Sequence, residues 1–135
     1  MAKILIIDDD DTMREIMAEL LALDNYETVL AADGSLGLES YRQERPDLVI
    51  TDLIMPNKDG VTVVQELKAE FPQARIMVLS GTQDLSKFSQ AVRFDANRIL
   101  TKPFETDQLL DAVAQLIDED AHVSPAYQHS HYPTQ

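Results

Sequence analysis

Cysteine is absent from this sequence, so disulfides, thiolate metal sites and cysteine nucleophiles are excluded at once. No histidine stands before His122, and the other two are His129 and His131. Ser-His-Asp and Cys-His catalysis are thereby removed from the globular part. Basic residues are scarce: 11 Lys and Arg stand against 24 Asp and Glu, a net charge of −13. A nucleic-acid partner needs a basic footprint and is not expected. Long hydrophobic runs are lacking as well. The apolar run behind Met1-Ala2-Lys3 is only Ile4 to Ile7, too short for a signal-peptide core or a membrane span. No membrane partner is expected, and a cytoplasmic location is the default.

What is present is ordinary in bulk: 135 residues, 44% apolar and 26% charged, the makeup of one soluble domain around one core. Short β-branched runs alternate with amphipathic stretches. Ile4 to Ile7, Val29 to Ala31, Leu48 to Thr51, Ile76 to Leu79 and Ile99 to Leu100 read as five buried strands. Met13, Ile16, Met17, Leu20 and Leu21 follow helical spacing, so one face of a first helix is apolar. Leu36 to Tyr41, Val61 to Phe71, Phe88 to Phe94 and Leu109 to Ile117 supply four more helices. Thr12 or Asp11 can cap the first, Gly34 with Ser35 opens the second, and Asp59-Gly60 precedes the third. Alternation of this kind implies an α/β fold, a five-stranded parallel sheet covered on both faces by five helices. The expected arrangement is doubly wound, with the flavodoxin-like strand order 2-1-3-4-5. After Asp120 the composition changes: Ala121 to Gln135 holds two prolines and no formally charged side chain, and reads as a flexible tail.

In such sheets ligands bind at the carboxyl ends of the strands, where the strand order reverses. Strand one ends in Asp8-Asp9, strand three in Asp52, strand four in Ser80 and strand five in Thr101-Lys102-Pro103. Three carboxylates would converge on one spot and repel unless something neutralises them. A magnesium ion with oxygen ligands is one neutraliser, and the Lys102 ammonium is another. Ser80 adds a hydroxyl, and Gly81 leaves room for a bulky group. A carboxylate nucleophile, a metal, a lysine and a hydroxyl together suit phosphoryl transfer.

The residues resemble the response-regulator receiver domain, the chemotaxis-type switch of two-component signalling. The resemblance rests on Ile4-Leu5-Ile6-Ile7-Asp8-Asp9-Asp10, on Asp47 through Pro56 with Asp59-Gly60, on Val78-Leu79-Ser80-Gly81, and on Lys102-Pro103-Phe104. It implies a receiver domain over residues 1–120, followed by the tail over 121–135. It implies Asp52 as phosphoacceptor, Asp9 as a direct magnesium ligand, Asp8 acting through water and the Ile54 carbonyl as a further ligand. Ser80 would bond a phosphate oxygen and Lys102 would pair with phosphate. The implied donor is a phosphohistidine on a sensor histidine kinase or phosphotransfer protein. The implied output is protein docking through the fourth helix, fifth strand and fifth helix, with no catalysis beyond self-phosphorylation and self-dephosphorylation.

Two positions depart from the family. Ile99 stands where an aromatic is frequent and reads as a buried strand residue, and Asp95 stands where glycine is common. Aspartate tolerates the left-handed conformation better than most residues. A competing reading takes Asp8-Asp9-Asp10-Asp11-Thr12 as the Asp-x-Asp-x-Thr motif of haloacid-dehalogenase-type phosphatases, with Asp8 as nucleophile and Asp10 as acid-base. It leaves the Asp52 segment without a role. A third reading is a receiver-like interaction module that is never phosphorylated.

Overall fold

The computed structural model describes residues 1–81 and 85–118. The expected tail, Ala121 to Gln135, and the boundary at residue 120 lie outside them. The chain alternates strictly: β1 (Lys3–Ile7), α1 (Asp11–Ala22), β2 (Glu27–Ala31), α2 (Gly34–Glu44), β3 (Leu48–Asp52), α3 (Gly60–Glu70), β4 (Ile76–Ser80), α4 (Leu85–Arg93), β5 (Arg98–Thr101) and α5 (Thr106–Ile117). All neighbouring strands pair in parallel in the order β2-β1-β3-β4-β5, as expected.

Two apolar layers sandwich the sheet. Successive side chains of a strand point to opposite faces. Accordingly Leu5, Ile7, Val49, Ile76 and Val78 pack with residues of α2 and α3, while Ile4, Ile6, Leu48, Ile50, Met77 and Leu79 pack with residues of α1 and α5. Because both faces are covered, these strands are continuous apolar runs rather than alternating ones.

The starts of α1, α2 and α3 are set by aspartates. The first helix is capped by Asp10, not by Thr12 or Asp11 as the sequence suggested: the Asp10 carboxylate accepts from the N–H groups of Thr12 and Met13 at 3.0 and 3.2 Å. Asp33 caps α2 through the Leu36 N–H at 2.8 Å, one residue ahead of the expected Gly34-Ser35 opening. Asp59 caps α3 through Thr62. Asp95 takes a positive φ of 70°, in the left-handed region, in the turn before β5. Ile99 is half-buried rather than fully buried, and packs against the apolar layer of α2 and α3.

Candidate functional site

Strand alternation places the site. Ile4 and Ile6 face α1 and α5, so the next residue of that parity is Asp8. Leu48 and Ile50 lead in the same way to Asp52, and Leu100 leads to Lys102. Ile7 pairs with Thr51 in register, which sets Asp8 and Asp52 side by side just past the last rung between β1 and β3. Asp8, Asp9 and Asp52 each present a carboxylate oxygen within 4.8 Å of the others.

Lys102 reaches across from the end of β5. Its Nζ donates to Asp52 Oδ1 at 2.7 Å, and the backbone N–H of Leu53 donates to the same oxygen at 3.1 Å. The Lys102 backbone is itself held, its N–H donating to the Ser80 carbonyl at 2.7 Å. Ser80 is buried at the end of β4, and its hydroxyl donates to the Gly81 carbonyl at 3.1 Å. In the described structure that hydroxyl therefore serves its own turn and is not bonded to Asp52.

Asp8 is only 3% exposed, and its Oδ1 accepts from the Asp10 N–H at 2.9 Å. Burial is the main cause that raises its pKa above the usual carboxylate value, with the charges of Asp52 and Asp9 adding and the Asp10 N–H and Lys102 opposing. Three carboxylates thus face one ammonium, an imbalance that suits a hard divalent cation with oxygen ligands. Asp10, the acid-base of the phosphatase reading, is instead turned onto the first turn of α1.

Sequence reasoning missed three supports. Arg14, on α1, donates from Nη1 to the Asp8 carbonyl and pairs with Asp11. Gly60 lies against the site from below: a Cβ there would sit 2.4 Å from the Asp52 carbonyl oxygen, and its N–H donates to the Leu53 carbonyl at 2.8 Å. Only glycine lets α3 begin that close to the Asp52 backbone. The third is a groove of about 990 Å³ beside Asp52 and Lys102, lined by Met13, Ile16, Leu20, Ile54, Pro103 and Phe104 among others. The apolar face expected for α1 divides: Met17 and Leu21 are buried in the core, but Ile16 is 44% exposed and faces this groove. Its helical spacing alone could not separate core from groove.

Residues 4–114 match the family described as response regulator receiver domain. The chain belongs to that family. The receiver is similar to the chemotaxis protein CheY of Bacillus subtilis, 34% identical over 117 residues that cover 86% of this chain and 98% of the relative. It is also similar to sporulation initiation phosphotransferase F of Bacillus subtilis, 30% identical over 115 residues, covering 85% and 93% of the two. Other curated relatives are longer, and the chain spans 44% and 50% of two of them. Among solved structures it superposes on a response regulator receiver domain protein from Clostridium thermocellum with a TM-score of 0.84 at 31% identity, covering 88% of this chain and 96% of that one. The receiver is thus a signalling module of two-component systems, and receivers bind magnesium at an acidic pocket of this kind. Among its described residues no helix is long and apolar enough to cross a membrane.

Proposed function

We propose that this receiver is a phosphorylation-dependent switch in which Asp52 accepts a phosphoryl group from a phosphohistidine on a sensor histidine kinase or phosphotransfer protein. The observation that carries the reading is the meeting of Asp8, Asp9 and Asp52 with the Lys102 ammonium at the carboxyl end of a parallel sheet. Asp52 Oδ1 is held by Lys102 and Leu53, which leaves Oδ2 as the attacking oxygen. Its lone pair forms the new O–P bond as the P–N bond to the donor imidazole breaks, and the imidazole nitrogen keeps that electron pair. Lys102 then pairs with a phosphoryl oxygen instead of with the free carboxylate. Ser80 turns its hydroxyl from the Gly81 carbonyl to another phosphoryl oxygen. Asp8, Asp9, Asp52 and the Ile54 carbonyl would hold magnesium, which neutralises charge on the phosphoryl group. The output is a change in protein docking on the face made by α4, β5 and α5.

Incubation with acetyl phosphate and magnesium tests the reading. We expect an acid-stable, base-labile adduct at Asp52, absent in Asp52→Asn. No adduct with or without magnesium would mean an unphosphorylated interaction module. Turnover of phosphate esters that survives Asp52→Asn but not Asp8→Asn would mean a phosphatase.

A further inference from the structure

Of the four consecutive aspartates, Asp8 and Asp9 meet at the pocket and Asp10 caps α1, which leaves Asp11 without a role. Its carboxylate pairs with Nη2 of Arg14, one helical turn further on. Side chains on a helix tilt toward its N-terminus, so Arg14, the fourth residue of α1, reaches back over the turn that follows β1. There Nη1 of the same guanidinium donates to the Asp8 carbonyl at 2.5 Å. The Arg14 side chain is 14% exposed and Asp11 is 84% exposed, so a surface carboxylate holds a largely buried clamp.

The clamp fixes a peptide plane. The Asp8 N–H donates to the Ala31 carbonyl at 3.2 Å, and the Asp8 carboxylate accepts from the Asp10 N–H at 2.9 Å. With its carbonyl held by Arg14, Asp8 is tied at N–H, carbonyl and side chain. A peptide unit is planar, so the direction of the Asp8 carbonyl also places the Asp9 Cα and the exit of its side chain. Little else aims Asp9: its exposed carboxylate has no hydrogen-bond or ion-pair partner among the described residues. We propose that Arg14 is the positioning residue of the acidic pocket, holding the Asp8–Asp9 peptide so that both carboxylates face one magnesium ion, and that Asp11 holds Arg14 in place.

This role rests on the reading of Asp8 and Asp9 as the magnesium pocket. Charge and position pull in opposite directions here. As a charge, Arg14 is a cation beside a cation site and opposes magnesium. As a clamp it favours magnesium, because ligands fixed beforehand need no ordering when the ion arrives. Groups that orient metal ligands are worth about tenfold to a hundredfold in metal affinity, so the clamp outweighs a partly neutralised charge. Arginine suits the place better than lysine: its planar fork serves Asp11 and the Asp8 carbonyl from two nitrogens at once, whereas an ammonium is a point charge.

Magnesium titrations of the full chain at fixed ionic strength, followed by calorimetry, test this role. We expect Arg14→Met to weaken magnesium binding by about tenfold or more. Asp11→Ala, at an exposed position, should weaken it more than Glu15→Ala, which removes an equal charge from the same helix but no bond to Arg14. That comparison decides the matter even where Arg14→Met fails to fold. Melting in a chelating buffer reads the cost in stability alone. A lowered melting temperature with unchanged magnesium affinity would leave Arg14 a structural role only and overturn the proposal. Tighter binding in Arg14→Met would make Arg14 a mere charge and overturn it too, as would equal effects of Asp11→Ala and Glu15→Ala. If the unaltered chain binds magnesium and Arg14→Met binds it equally, only this role falls. If the unaltered chain binds none, the reading of the pocket falls and this role with it.

Discussion

Asp8 is a carboxylate placed where a carboxylate is costly. A carboxyl whose folded pKa lies above its unfolded value binds its proton more tightly in the native state. Stability therefore falls as pH rises through that interval and stays lowered above it. Asn at this position keeps an oxygen for the Asp10 N–H and removes the buried charge. Asp8→Asn is expected to stabilise the metal-free protein at pH 7, on the order of 1 kcal/mol. The gain should shrink as pH falls toward the unfolded carboxylate value, where the native aspartate is protonated anyway. Thermal unfolding at a series of pH values in a chelating buffer checks this, and a gain independent of pH would refute it. Asp8 stood out in the sequence because it follows four apolar residues without a break. Its near-complete burial was not legible there, because it depends on the α1 and β2 segments that close over it.

Between elements, the contact that stands out is the pair Lys87–Asp59, which ties α4 to the cap of α3. Burial alone would raise the Asp59 pKa, yet hydrogen bonds from Lys87 and Thr62 hold it below the usual carboxylate range. That stabilisation is present above the unfolded pKa and is lost as pH falls through the folded one. Asp59→Ala removes both the cap and the tie and should cost about 1–2 kcal/mol. Lys87→Met removes only the partly exposed tie and should cost less than about 1 kcal/mol. Urea unfolding measures both, and equal losses would assign the whole effect to the ion pair. Hydrogen exchange on α4 separates them further, since Lys87→Met should loosen α4 and leave the first turn of α3 intact. This tie runs from α4 toward the Asp52 loop by way of Asp59 and Gly60. Element order and type were legible from hydrophobic period alone. The pairing of Lys87 with Asp59 was not, because two residues far apart in the chain leave no local signal of their meeting.

At the scale of the molecule, a charge of −13 works against compactness. Raising sodium chloride from about 10 mM to about 0.5 M shortens the screening length from roughly 30 Å to a few Å and should raise the melting temperature. Magnesium at matched ionic strength should raise it further, by up to about 2.7 kcal/mol of stability at a hundredfold excess over its Kd. The magnesium increment, but not the salt increment, should vanish in Asp9→Asn. If sodium chloride reproduces the whole magnesium effect, the acidic pocket binds no ion of its own. The convergence of Asp8, Asp9, Asp52 and Lys102 was legible because topology alone brings strand ends together. The groove beside them was not, because helical spacing alone does not say whether an apolar residue of α1 such as Ile16 meets core or solvent.

The sidedness of the acidic pocket follows from counting. Asp8, Asp52 and Lys102 stand on the α1 side because each is an even number of steps beyond a core residue of that side. Substitution at those positions can empty the pocket but cannot turn it over. Moving it to the α3 side would take a one-residue insertion near the end of each of three strands. An engineer who wanted a second reactive centre on this scaffold would do better to leave the frame alone and write new residues at the neighbouring odd positions.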